Sequence, residues 1–385
     1  MIRRTFWLNR IIEAWKSRPI VWLSGVRRTG KTTIAKMFHE AFYCNCDLPS
    51  MISRIEDTEF FFSSVQSGSM VVFDEVHRVP DPSLLLKIGA DEFPHLKILA
   101  TGSSTLAATR KFRDSLTGRK KTIYLPPVLW SECQKDFAIT DFNHRLLFGG
   151  LPEPLLSAEK NPDFFAEWID GFYARDLSEL FSIKNRTGFL KLLRLVFSQS
   201  GGILEYGSLA APCSLSLPTV HTYIESMLVS HALFLIPPFH GGGTREIVKR
   251  PKVYCFDTGF VTYINGWDTI RNDDRGLLWE HLVLDELRAM LPEESIHYWR
   301  DKSAREIDFV LPLKPPSNIC AIECKINPDQ FNSAALLEFR KAYPEGRNFI
   351  VAPFVKSPYP KRYGEIVVNV CGSTHLRTEL SGSNE

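Results

Sequence analysis

Eight consecutive residues, Gly25-Val26-Arg27-Arg28-Thr29-Gly30-Lys31-Thr32, have the G-x-x-x-x-G-K-[ST] spacing of a loop that cradles a phosphate chain. Its glycines let successive backbone N–H groups curl around a β-phosphate, and the helix that follows adds partial positive charge. In that chemistry Lys31 bridges the β- and γ-phosphates, Thr32 offers its hydroxyl to Mg²⁺, and Thr33 donates to the α-phosphate. The loop follows an apolar run, IVWLS, and opens a helical pattern, TTIAKMFHEAF, which is the context the mechanism requires. A second apolar run, Met70-Val71-Val72-Phe73, ends in Asp74 and Glu75. Asp74 is the candidate to hold Mg²⁺ through water, and Glu75 the candidate to polarise an attacking water. Two acids at a strand end also occur as a solvated terminus; the phosphate loop upstream favours the chemical reading. The expected ligands are ATP and Mg²⁺.

Further along, Glu280 falls on the apolar stripe of a helical pattern, with Leu277, Leu284 and Leu287. An acid there is costly to bury unless it meets a cation, a metal or a proton. Asp308 interrupts the strand-like EIDFVL, and Glu323 and Lys325 share one face of the next strand, CAIECK. This order resembles that of the restriction-endonuclease-like fold. The resemblance implies that Asp308 and Glu323 hold one or two Mg²⁺ ions, with Glu280 fixing a ligand or a second metal and Lys325 orienting the nucleophilic water. A salt-bridge cluster of the same four side chains is the competing structural reading.

The elements that must position these groups fall into four blocks. Residues 1–130 alternate buried strands with helices, which implies a parallel sheet with helices on both faces. Residues 131–200 turn helical. Residues 201–265 read as helix, turn, helix and two strands, a winged-helix pattern whose second helix runs from Pro218 to Val229 with Val220, Ile224, Met227 and Leu228 inward. Its loop HGGGTREIVKRP offers Arg245, Lys249, Arg250 and Lys252 to DNA phosphates. The second helix carries no Lys or Arg, so a DNA-binding role and an interdomain contact role stand evenly. Residues 276–375 form a separate α/β unit, after a polar boundary INGWDTIRNDDRG. The short tail ELSGSNE is expected to fray.

LSGVRRTGKTT, VVFDEVHRVP, LATGSS, LTGRKKTIYLPP and FGGLPEP, followed by RPKVYCFDTGF, RGLLWEHLVLDEL and YWRDKSAREIDFVL, resemble a bacterial and archaeal family over nearly the whole chain. Its members join an AAA+-like P-loop ATPase to a C-terminal domain of unassigned function. The resemblance implies that Ser103 or Ser104, at the end of LKILATGS, senses the γ-phosphate, although the same serines suit a helix cap. It also implies an arginine finger at the end of the following helix, Arg119 ahead of Arg113, which makes a homo-oligomer the expected active form.

Composition narrows the class. The chain of 385 residues is 44% hydrophobic and 23% charged with a formal net charge of +2, so no global field dictates a nucleic-acid or membrane partner. Eight scattered cysteines lack disulfide-scaffold spacing, and no run approaches the ~20 apolar residues of a membrane span. A cytoplasmic protein with reduced thiols is expected, and the ten histidines show no zinc spacing. The function expected is an ATP-hydrolysing switch or motor coupled to a DNA-binding or nuclease-like unit. The alternative is a regulatory ATPase with a non-catalytic interaction module. Replacing Lys31 with Ala is expected to weaken Mg·ATP binding strongly; undiminished affinity in calorimetry would contradict the phosphate-loop reading.

Overall fold

Apolar runs with no polar alternation must be covered on both sides, and the first half of the chain shows how. In the computed structural model, which describes residues 2–102, 106, 109–177, 181, 183, 185–240, 250–314 and 318–381, five parallel strands form one sheet. They are β1 (Ile20–Ser24), β2 (Phe42–Asn45), β3 (Met70–Asp74), β4 (Lys97–Thr101) and β5 (Lys120–Tyr124), in the order β2-β3-β4-β1-β5. Ile20 and Trp22 point to one face with Val71, Phe73, Ile98 and Ala100, where Phe112 packs edge-on to Trp22 at 4.9 Å. Val21, Leu23, Val72 and Leu99 point to the other, covered by Trp7, Leu8 and Ile11 of the N-terminal helix Thr5–Ala14. The helix Thr5–Ala14 therefore serves to cover the sheet.

The helix after the phosphate loop is shorter than its pattern suggests. It spans Lys31–Ala35, and Phe42–Asn45 becomes the edge strand β2, paired with Val71–Asp74. Apolar residues at helical spacing run straight into this half-exposed strand, so its period-2 signal is lost. The second half holds another unforeseen edge strand, Tyr359–Tyr363.

Residues 130–198 are helical, including Trp130–Lys135, Phe142–Phe148, Pro162–Gly171 and Arg186–Ser198. Helices Tyr206–Cys213 and Leu217–Val229 precede an antiparallel pair, β6 (Leu233–Ile236) and β7 (Lys252–Cys255). The C-terminal unit has the long helix Asn272–Arg288 and six strands: β8 (His297–Arg300), β9 (Glu306–Lys314), β10 (Asn318–Cys324), β11 (Asn348–Val351), β12 (Tyr359–Tyr363) and β13 (Ile366–Cys371). Their order is β12-β13-β11-β10-β9-β8, with β11 parallel to both β10 and β13. The polar boundary is partly helix, since Asn272 to Arg275 form its first turn. Of the tail, Glu379 to Ser381 close the helix Ser373–Ser381, which buries Leu380, and residues 382–385 lie outside the described residues. One apolar cluster joins Trp130, Phe165 and Phe197 to Tyr254, Trp279, Phe349 and Leu380, so the helical block, the middle and the C-terminal unit share a core.

The two motifs FGGLPEP and FDTGF meet in that core. Gly150 N–H donates to Asp257 Oδ2 at 2.6 Å, and Gly259 N–H donates to Oδ1 at 2.8 Å. Gly149 has φ +79°, and any Cβ there would run into the Asp257 carboxylate. Arg145, fully buried beside them, donates to Val128 O at 3.0 Å and Thr258 Oγ1 at 3.1 Å. Gly149→Ala is therefore expected to cost about 2–4 kcal/mol, combining backbone strain with displacement of a buried carboxylate. Chemical denaturation should show it, and an unchanged midpoint would contradict this account.

Candidate functional site

The phosphate loop leaves the C-terminal end of β1 and adopts the backbone its glycines permit. Gly25 has φ +147°, and a Cβ there would lie 2.5 Å from Leu125 O; Gly30 has φ +97°. Arg28, with φ +65°, holds a left-handed conformation unusual for a side-chain-bearing residue. Side chains from several elements tie down the loop's carbonyls. Lys31 Nζ donates to Gly25 O at 2.9 Å and Val26 O at 3.0 Å, and Thr29 Oγ1 donates to Val26 O at 3.0 Å. Trp168 Nε1 donates to Arg27 O at 3.2 Å, and Arg4 Nη1 donates to Thr29 O at 2.9 Å. Arg4 is itself fixed by a bidentate pair with buried Glu132, at 2.8 and 2.7 Å.

Beside the loop, β3 ends at Asp74. Its Oδ1 accepts from Thr101 Oγ1 at 2.5 Å and Thr32 Oγ1 at 3.2 Å, and its Oδ2 from Tyr43 OH at 2.6 Å. The adjacent hydroxyl and carboxylate of Thr32 and Asp74 fit a hard divalent cation. Glu75 has φ +57°, which turns it out of the strand; its N–H donates to Thr101 Oγ1 at 3.0 Å. Its Oε2 lies 3.2 Å from His77 Nδ1. Burial alone would raise the Glu75 carboxyl, but the His77 contact and the charges of Lys31 and Arg27 hold it below its usual value. Glu75 is therefore ionised at neutral pH, as a base must be.

Loop and acids open on one cavity of about 610 Å³. Gly25 to Arg28 and Gly30 to Thr33 line one side, with Glu75, His77 and Gly102 beside them. Pro152, Glu153, Glu167, Trp168, Gly171 and Phe172 of the helical block form another wall, and Ser230 of the middle block closes the rim. Next to Ser230, half-buried His231 lies with Nε2 3.1 Å from Ser24 Oγ, at the root of the loop. Burial, aided by the charges of Arg288 and Lys31, lowers the His231 pKa to about 3, so the ring is neutral.

The C-terminal acids also converge, but onto lysines. Lys252, from β7, is buried; its Nζ donates to Glu280 Oε1 at 2.8 Å and lies 2.5 Å from Glu306 Oε1, while Tyr254 OH also donates to Glu280. Lys325 Nζ donates to Glu323 Oε2 at 2.7 Å and lies 3.7 Å from Asp308 Oδ2, and Asp308 accepts from Cys324 N–H at 2.7 Å. Burial, then the Asp308 charge, raises Glu323 to about 8 despite Lys325; burial raises Glu280 as well. Glu280, Asp308 and Glu323, the expected metal ligands, are here engaged in ion pairs and hydrogen bonds with Lys252, Lys325 and Tyr254. Internal ammonium groups neutralise these carboxylates, and among the described residues no three His, Cys, Asp or Glu side chains are grouped to hold a metal. Lys325 is engaged as a counter-ion.

Residues 17–134 match the family described as AAA domain. With the loop on the end of β1 and Asp74 on β3 of a parallel sheet, the observation is decisive. This segment is an AAA-type P-loop domain. Residues 139–271 and 275–370 match two domains of unknown function, DUF8612 and DUF4143. The uncharacterized protein Rv2008c of Mycobacterium tuberculosis is 26% identical over 325 residues, covering 81% of this chain and 72% of its own. The uncharacterized protein MJ1544 of Methanocaldococcus jannaschii is 26% identical over 341 residues, covering 79% and 75%. Among solved structures, the Walker-type ATPase paby2304 of Pyrococcus abyssi aligns with a TM-score of 0.44 at 16% identity, over 69% of this chain and 96% of that one. Thermotoga maritima RuvB aligns with a TM-score of 0.33 at 14% identity, over 70% and 96%.

Other expected residues of the AAA domain fare differently. Ser103 and Ser104 lie outside the described residues. Arg119 follows the helix Arg110–Leu116 and makes a bidentate pair with Asp91 at 2.6 and 2.9 Å within the same chain; it does not line the cavity. In the middle block, Arg245 and Lys249 lie outside the described residues, and Arg250 pairs with Glu205 at 2.8 Å. Lys252 is not a phosphate contact, because it is buried against Glu280. Among the described residues, no helix is long and apolar enough to cross a membrane. The anchors Arg4, Tyr43, Thr101, Trp168 and His231 had no sequence signal, being ordinary residues far from the motif they serve.

Removing the Lys252 charge should expose what it neutralises. Lys252→Met is expected to destabilise the protein by about 3–5 kcal/mol at about pH 8. The loss should shrink toward about pH 5, because a carboxyl whose folded pKa is raised binds its proton more readily folded than unfolded. Urea melts at both values test this; an equal loss at each would contradict the pairing with Glu280.

Proposed function

We propose that the chain is an ATP-hydrolysing switch whose C-terminal unit is a non-catalytic interaction module. The observation that carries this reading is the single cavity bounded by the phosphate loop, by Glu75, and by side chains from the helical and middle blocks. A nucleotide there touches three parts of the chain at once. Gly25 to Thr33 bind the phosphates, with Lys31 turning from the carbonyls of Gly25 and Val26 to the β- and γ-oxygens. Thr32 and Asp74 would hold Mg²⁺, which supplies charge neutralisation at those oxygens when bound. Glu75, ionised and oriented by His77, takes the proton of the attacking water. Arg119 acts as a finger only in an assembly and only once its pairing with Asp91 breaks.

The C-terminal unit keeps the order of acids that nucleases use, yet Lys252 and Lys325 hold those acids as ion pairs. This favours an interaction role over cleavage. DNA remains one partner class for that role, although the exposed face of the helix Leu217–Val229 carries no cation. A cytoplasmic location agrees with this reading.

Two experiments test these assignments. Glu75→Gln should bind Mg·ATP with near wild-type affinity and hydrolyse it about 10²-fold more slowly or worse; wild-type turnover would remove Glu75 from the base role. Wild-type protein with Mg²⁺ should leave plasmid DNA uncut, with or without ATP. Cleavage that disappears in Lys325→Ala while ATP turnover survives would restore the nuclease reading.

A further inference from the structure

The first sheet gathers cations at the end away from its phosphate loop. Register sets the starts of three neighbouring strands side by side, with Ile20 of β1 between Ile98 of β4 and Lys120 of β5. Lys97 opens β4, Lys120 opens β5, and Arg18 precedes β1 by two residues. Neighbouring strands lie about 4.8 Å apart, so these side chains share one rim. β5 is also an edge of the sheet; Lys121 is exposed along it, as is Arg113 on the helix Arg110–Leu116. The phosphate loop leaves the opposite end of β1, five residues or about 16 Å away. None of these five cations lines its cavity.

Charge is concentrated here out of proportion to the chain. Residues 110–121, RKFRDSLTGRKK, hold six cations and one acid, a net of +5 in a protein whose formal total is +2. Acids answer two of them: Lys111 pairs with Asp81 at 2.7 Å, and Arg119 with Asp91 at 2.6 Å. Arg18, Lys97, Arg113, Lys120 and Lys121 make no ion pair among the described residues. Arg113 and Lys120 crowd each other, since burial and then the Arg113 charge lower the Lys120 pKa from its usual value. Lysines on an edge strand do guard it against pairing with another sheet. That purpose does not extend to Arg18 and Lys97, which stand at the ends of inner strands. Like charges held together cost the fold energy and favour a polyanion that meets them.

We propose that this rim binds the phosphate backbone of double-stranded DNA, independently of base sequence. The apolar side chains of the segment, Phe112, Leu116 and Ile123, are buried. None of them is left to stack on an unpaired base or to enter a bilayer. A duplex presents one negative charge per about 1.7 Å of its axis, dense enough to answer several of these cations at once. The site belongs to the first sheet, apart from the C-terminal unit and from the nucleotide cavity, so it does not rest on the triphosphate reading.

Fluorescence anisotropy of the full chain with a labelled, mixed-sequence DNA duplex tests this. Affinity should fall about 10²-fold between about 50 and about 200 mM salt, as four or five phosphate contacts require. Lys97→Gln, Lys120→Gln and Lys121→Gln combined should weaken binding at least about tenfold in low salt and flatten the salt slope by about 3. A thermal melt should give this variant the wild-type midpoint. Lys302→Gln, Lys356→Gln and Arg362→Gln combined, which neutralise exposed cations of the C-terminal unit, should leave affinity and slope in place. Equal losses in the two triple variants overturn the proposal, as does full duplex affinity in the rim variant. So does tighter binding of the single strand than of the duplex, or capture by phosphatidylserine vesicles with no duplex binding.

Discussion

A loop meant for a triphosphate must hold its amides toward one point before any anion arrives to attract them. Each peptide unit is planar and trans, so fixing a carbonyl outward aims the next residue's N–H the opposite way. In this chain Arg4 takes the carbonyl of Thr29 and Trp168 takes that of Arg27. The amides of Gly30 and Arg28 are thereby turned toward the other side. The strain at Arg28 and the glycine conformations at 25 and 30 are the local cost of that shape. The bidentate Arg4–Glu132 pair is what makes the Thr29 anchor stiff, since burial leaves neither charge an alternative partner. The Glu132 carboxyl stays below its usual pKa because Arg4, Trp7 and the Leu129 N–H together outweigh its burial.

The sequence made the first sheet and its motif legible for a local reason. Eight consecutive residues carry the loop, six carry the strand with its two acids, and both kinds of signal survive without knowledge of the fold. The anchors were illegible for the complementary reason. Arg4, Trp168 and His231 reach the loop from 25, 141 and 207 residues away, and each looks like a surface cation or a core aromatic. The edge strands β2 and β12 escaped notice because half-exposed strands lack the continuous apolar run that marked β1, β3 and β4. The two helices and two strands of the middle block were readable because their spacing is again a local feature.

The C-terminal unit shows where such reading leaves alternatives open. The sequence placed Glu280 on an apolar stripe and required a cation, a metal or a proton to meet it. All three satisfy that requirement equally, and only tertiary structure chooses among them. The choice is Lys252, 28 residues upstream on β7. Its neighbours in the sequence, Arg245, Lys249 and Arg250, make it look like one more basic residue of a solvated loop. Burial decides otherwise: β7 is buried along its full length, so the charge of Lys252 must be answered inside. Glu306, which drew no notice in the sequence, completes the answer at 2.5 Å. The shared core and this buried pairing bind the middle block to the C-terminal unit more firmly than a linker would.

That firmness bears on how a nucleotide reaches the rest of the chain. Lys31 now donates to the carbonyls of Gly25 and Val26, and binding phosphate requires it to leave them. Gly25 follows Ser24, whose hydroxyl meets His231 at the head of β6, and His231 is a neutral ring in a left-handed backbone conformation. Its ring lies against Tyr124, and the Arg288 guanidinium sits 4.4 Å from the Tyr124 centroid at the end of the long C-terminal helix. The same helix carries Glu280, the residue locked to Lys252. The contacts along this line are hydrogen bonds, of which Ser24–His231 is half-buried, and packed aromatic surface. Side chains in contact with one another therefore connect the phosphate loop to the long C-terminal helix.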